Sequence, residues 1–190
     1  MVKRLTDNWV YGGFLAGIVL LILCPLIVKG WPRALVAVFL LLPAYMVHQY
    51  EEHDGDRFRR FVNEKMGEGR VGLSPMAVFV INVPGVWGAI AAALYLAAAV
   101  DAGLGLIASY LVVVNGVVHA APAVATRSYN PGVVTAVVIF LPLGIYSVLE
   151  IQAAGGGTAL NHAIGLAVAV GIHVAIVAHA TRRKAGIALA

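Results

Sequence analysis

Tyr45-Met46-Val47-His48-Gln49-Tyr50-Glu51-Glu52-His53 ends a long apolar run and holds two histidines and two carboxylates within six residues. On a helix that advances about 100° per residue, His48, Glu51 and Glu52 fall within one stripe. Three potential metal ligands or proton carriers therefore share a helix face. The rest of the chain reads as a way of bringing further polar groups to that face.

The surrounding composition sets the class. The chain has 190 residues, of which 61% are hydrophobic and 12% charged. A soluble domain carries about twice that charge, at roughly 25%. The composition therefore indicates an integral membrane protein. The formal net charge of +4 is no nucleic-acid signal, because the lysines and arginines sit in short loops. A single cysteine, Cys24, lies inside an apolar run, so no intrachain disulfide can form. The first apolar run follows Lys3 and Arg4 and is too long for the core of a cleavable signal peptide, so it is expected to remain as a spanning helix.

Six apolar runs are each long enough to cross about 30 Å of hydrocarbon. They lie near 9–28, 33–52, 75–99, 103–125, 132–151 and 158–180. The expected fold is all-α: a polytopic bundle of six transmembrane helices forming one domain over 1–190. Lys29-Gly30-Trp31-Pro32, Asp101-Ala102-Gly103, Tyr129-Asn130-Pro131-Gly132 and Gly155-Gly156-Gly157 punctuate the runs. With the N-terminus inside, eleven basic residues face the cytoplasm, and Lys29 and Arg33 face outward. That bias predicts cytoplasmic termini in a membrane of the bacterial inner or plasma type.

Residues 54–70 are the sizeable polar segment. Phe58, Phe61, Val62 and Met66 recur at helical spacing between Arg57, Arg59, Arg60 and Lys65. The pattern suits a short amphipathic helix on the cytoplasmic leaflet. It serves either as a plain connector or as a lid over the Glu51/Glu52 face. Small residues such as Gly13 and Gly17, four apart, let helix backbones approach closely.

Few polar residues remain inside the runs. At about 1.5 Å per residue, His48, Glu51, Glu52, Asn82, Asn115, His119 and His173 all fall in the cytoplasmic half, on four different runs. Ionisable groups in hydrocarbon normally face the bundle interior, and a shared metal ion offsets their cost. Imidazole and carboxylate are ligands for zinc, iron and manganese. The bland alternatives are a helix end reaching water at Glu51 and Glu52, core histidines at His119 and His173, and interhelical hydrogen bonds at Asn82 and Asn115. Tyr45 and His53 flank the motif, with His53 at the interface. His162 is expected at the outer headgroups.

Three features resemble one family. His48-Gln49-Tyr50-Glu51-Glu52 reads as H-x-x-E-E, His119 follows, and Tyr129-Asn130-Pro131-Gly132 reads as Y-x-P-G. In this order they resemble the HXXEE domain family of small membrane proteins. The family is essentially without an assigned function. The resemblance implies His48, Glu51, Glu52 and His119 as candidate residues and the 129–132 turn as a structural link. It does not reach His173.

The ligand inventory suits one divalent ion, zinc, iron or manganese, bound by His48, His119 and His173 with one of Glu51 and Glu52. The other glutamate would act as general acid or base. Two ions bridged by the glutamates remain open. The leading expectation is a metal-dependent membrane enzyme acting on a lipidic or hydrophobic small-molecule substrate from the cytoplasmic leaflet. Hydrolase, lyase or isomerase, and oxidoreductase chemistry all stay open. The alternatives are a small proton-coupled transporter and a haem protein with His119 and His173 as axial ligands. No phosphate loop, dinucleotide fingerprint or nucleophile elbow is present.

Overall fold

The computed structural model describes residues 2–65 and 73–187. They form helices joined by short turns, with no strand among the described residues. Six helices are long and apolar enough to span a membrane: Val2–Ile27, Arg33–Glu64, Pro75–Ala99, Ala102–Thr126, Val133–Ala153 and Ala159–Thr181. The expected runs match these within a few residues, except that the first helix starts earlier, at Val2, and the second span continues past 52 to Glu64.

Helix α1 spans Val2–Ile27 and α2 spans Arg33–His53. Pro32 stands just before α2, where its missing N–H costs nothing. The two helices lie close because α1 presents glycine. A Cβ on Gly17 would meet Met46 Cβ at 2.9 Å and the Pro43 carbonyl oxygen at 3.1 Å. The small-residue spacing read from the sequence is therefore a packing device.

Helix α2 is the axis of the bundle. Its apolar window is 61% buried, against 17% for the first and last long helices. Val38, Leu41 and Tyr45 on α2 pack with Ile90, Leu106, Leu111, Val112, Phe140 and Ile151. Buried on every side, α2 can carry polar groups only where partners exist for them.

Past His53 the chain reverses. Gly55 and Asp56 both take positive φ, 58° and 64°, and α3, Arg57–Lys65, follows. The Gly55 carbonyl accepts from Arg60 at 2.7 Å, and Asp56 is paired with Arg59. The reversal lays the apolar face of α3 onto the bundle. Val62 packs with Leu73, Val78 and Ala180, alongside Phe58, Phe61 and Trp9. Met66 lies outside the described residues.

The third long helix is α4, Pro75–Val80, then a π-helical stretch, Ile81–Trp87, and α5, Gly88–Ala99. Pro84 lies within the wide turn, where it breaks the regular ladder. Helix α6 spans Leu106–Thr126. Helix α7, Val133–Thr135, leads through a second π-helical stretch, Ala136–Phe140, into α8, Leu141–Ala153. Helix α9, Ala159–Ile187, packs on α6.

Candidate metal centre

Glu52 is the hub. It is 5% exposed, and three imidazoles surround it. His48 Nε2 lies 3.5 Å and His53 Nε2 3.1 Å from Glu52 Oε2, and His119 Nε2 lies 3.5 Å from Oε1. His48 and Glu52 are one turn apart on α2, which places them side by side. His119 comes from α6, on the facing side. Among the described residues, His48, Glu52 and His119 form a group that could hold a metal ion, with one donor atom from each within 4.8 Å of the others.

The outer hydrogen bonds fix the tautomers. Asn130 Nδ2 donates to the His119 carbonyl at 2.9 Å, and a carbonyl can only accept. Asn130 Oδ1 must then be the atom facing His119 Nδ1, at 2.9 Å. His119 Nδ1 therefore carries a hydrogen, and in the neutral ring Nε2 turns a lone pair toward Glu52. His48 follows the same logic. Thr135 Oγ1 has one hydrogen, which goes to Glu51 Oε2 at 2.5 Å or to the Gly132 carbonyl at 3.3 Å. It can only accept from His48 Nδ1, at 2.8 Å. His48 Nε2 is likewise a lone pair, fully buried and without a hydrogen-bond partner.

Two imidazole lone pairs and a buried carboxylate thus face one another. Such a set repels itself unless a cation or protons lie between them. The residues present fit a metal. Each ligating imidazole has its other nitrogen anchored, the arrangement that orients histidine ligands in metal sites. Two histidines and one carboxylate are also the donor set of catalytic zinc and of non-haem iron sites.

Glu51 is not part of this set. One residue before Glu52, it points to the start of α7. Its Oε1 accepts from Tyr129 OH and the Val134 amide, both at 3.1 Å, and its Oε2 accepts from the Thr135 amide at 2.7 Å. A carboxylate at a helix start meets unpaired amides and the positive end of the dipole. Burial, reinforced by the Glu51 charge, holds the Tyr129 hydroxyl above the usual phenol range, so it stays a donor. Glu51 orients Thr135, and Thr135 orients His48.

His173 also stays apart. Its Nδ1 bonds the Ala169 carbonyl of its own helix at 2.8 Å. It lines a cavity of about 570 Å³ that Glu52, His53, His119 and Asn130 close at one end. Tyr45, Asn82 and Asn115 line the cavity too, but bond elsewhere. Asn115 donates to Tyr45 OH at 2.8 Å. Asn82 accepts from Gln49 at 2.8 Å, and Gln49 accepts from Trp87 at 2.6 Å. That chain ties α2 to the π-helical stretch. His53, expected at the interface, is 6% exposed, because α3 folds over it and Phe58 packs against its ring at 5.3 Å.

The turn 129–132 does more than link two helices. Tyr129 holds Glu51, Asn130 holds His119, and Gly132 closes the cage. Gly132 has φ 96°, and a Cβ there would meet His48 Cε1 at 2.9 Å and His119 Cε1 at 3.0 Å. Only glycine meets both demands. Asn130, Gly132 and Thr135 were not read as site residues from the sequence. The signal that pointed near them was the Y-x-P-G turn.

These features define a polytopic helical protein with a buried histidine–carboxylate centre. The chain belongs to the family described as protein of unknown function with HXXEE motif, which it matches over residues 39–147. That span holds His48, Glu52, His119 and the 129–132 turn. No curated protein and no solved structure matches the chain.

Proposed function

We propose that the protein is a metal-dependent membrane enzyme, with His48, Glu52 and His119 as ligands of one divalent ion. The observation that carries this reading is the pair of anchored imidazoles whose lone pairs face Glu52. Their spacing supports it. Ion-paired imidazolium and carboxylate approach to about 2.7–2.9 Å. Ligands each about 2.0–2.1 Å from one tetrahedral ion stand roughly 3.3 Å apart. The 3.5 Å separations, from His48 to one Glu52 oxygen and from His119 to the other, exceed the ion-pair range.

Three protein ligands leave a position for water or substrate, where a bound ion supplies Lewis-acid or redox chemistry. This chain's own residues do the rest. The apolar cavity holds a hydrophobic substrate and keeps bulk water from Glu52. Asn130 and Thr135 keep the ligand nitrogens aimed. His53, at the cavity end with an Nε2 that makes no hydrogen bond, is the base nearest a substrate there. Glu51, which the sequence offered for that role, is committed to α7. With the basic loops inside, the cavity opens in the cytoplasmic half of the membrane.

A proton-coupled carrier is the weaker reading. Toward the opposite end, His162 is closed off by Tyr110 at 2.7 Å and Gln152 at 3.0 Å. Haem ligation by His119 and His173 is also weaker, because His119 Nε2 faces Glu52.

Elemental analysis of detergent-purified protein, loaded in turn with zinc, iron and manganese, tests the proposal. Wild type should hold about one ion per chain, and Glu52→Gln and His119→Ala should hold almost none. Metal-free wild type with all three would overturn it.

A further inference from the structure

We infer that the cavity beside Glu52 is the inner end of a sideways channel that takes a single-chain amphiphile with an acidic head from the bilayer. The assignment of the head rests on the proposed metal; the channel itself does not.

A second hollow of about 560 Å³ lies between α4 and its π-helical extension on one side and α9 on the other. The two hollows share Ile81, Ile172 and Ile176. These three isoleucines are therefore the wall between the inner cavity and the outer groove. Helix α9 packs on α6, and no extensive packing joins it to α4 or the π-helical stretch among the described residues. The wide turn at Pro84 interrupts the regular α4–α5 helix beside the groove. On the groove itself, Met76 and Val80 are exposed on a helix long and apolar enough to meet lipid.

The inner cavity names the occupant. Its wall is mostly apolar; Glu52, His53, His119 and Asn130 form one cluster on it, and Tyr45, Asn82, Asn115 and His173 are its other polar lining groups. That division fits a hydrocarbon chain with one polar head. Hollows of this size suit ligands smaller than a whole phospholipid. Glu52 is the one carboxylate on the wall. A divalent ion held by it and two neutral imidazoles leaves one net positive charge, which an acidic head complements.

Photolabelling tests this on the full chain in phosphatidylcholine vesicles. The probe is a long-chain fatty acid with a mid-chain diazirine, and labelled peptides are mapped by mass spectrometry. Labels should concentrate on 74–85 and 172–179. Ile176→Trp, or Ile81→Phe from the facing side, should lower them about tenfold, as roughly 1.4 kcal/mol of lost binding does. Metal content should stay at the wild-type level. Excess oleate should compete, and hexadecane should not. Equal labelling of both variants and wild type, or label spread evenly over all lipid-facing helices, would overturn the channel. Equal competition by hexadecane would overturn the acidic head. Metal-free protein that still labels these segments would overturn the metal reading and leave the channel standing.

Discussion

Two polar clusters sit at opposite ends of the bundle, one buried around Glu52 and one at the surface around Asp101, and they differ in a further respect. At the far end, Asp101 accepts from the Gly103 amide and from Asn161 Nδ2, both at 3.0 Å. Asn161 also donates to the Gly156 carbonyl at 2.9 Å, and His162 bridges Tyr110 and Gln152. Each of these bonds joins a donor to an acceptor. At the Glu52 end, the outer nitrogens are just as well held, yet with neutral rings the inner ones of His48 and His119 meet a carboxylate with no hydrogen between. A closed network ties turns together and needs no ligand. An open one, buried around Glu52, marks the place where a ligand completes the set.

The sharpest way to break this comparison is to cut one histidine from each end. His48→Ala should abolish metal binding in elemental analysis, whereas His162→Ala should keep the ion and lose only thermal stability. Metal loss in both variants would erase the distinction. Asn130→Ala comes next. It leaves all three ligands in place but frees the His119 tautomer, so metal affinity by competitive chelation should fall about 10–100-fold. Gly132→Ala should act on the fold and the cage together. The positive φ and the close imidazole edges should lower stability by about 1–3 kcal/mol, read as a reduced thermal midpoint in detergent.

The smallest expected effect is at Asp101. The Gly103 amide and Asn161 hold its carboxyl below the ordinary range. A lowered folded pKa gives a contribution that is present above the unfolded value of about 4 and is lost as pH falls through the folded one. The thermal midpoints of wild type and Asp101→Asn should therefore differ at neutral pH and converge in acid. A constant gap would show that the charge is not what matters there.

The six long helices were legible because a membrane imposes one rule, about twenty apolar residues per crossing. The depth of His48, Glu52 and His119 followed from counting along those helices. Rotation did not. Glu51 and Glu52 are neighbours, and a step of about 100° sends one to the cage and the other to the start of α7. His173 lines the same cavity as His119 but bonds its own helix backbone. The reversal at Gly55 and Asp56, which buries His53, depends on two positive φ values. Gly55 permits one, but no rule of composition assigns the other to Asp56. Asn130 and Thr135 were missed because a turn after an apolar helix reads as punctuation, and only the folded chain shows it bending back under the helix ends.

That bend has a mechanical outcome. The same four-residue loop grips a carboxylate of one helix through Tyr129 and an imidazole of another through Asn130, and its glycine touches both rings. Pulling the loop outward would loosen the cage and unseat the start of the fifth long helix in a single motion. Conversely, an ion in the cage would act as a rivet for the 129–135 segment, so that losing it would first be felt in how firmly that corner of the bundle stays shut.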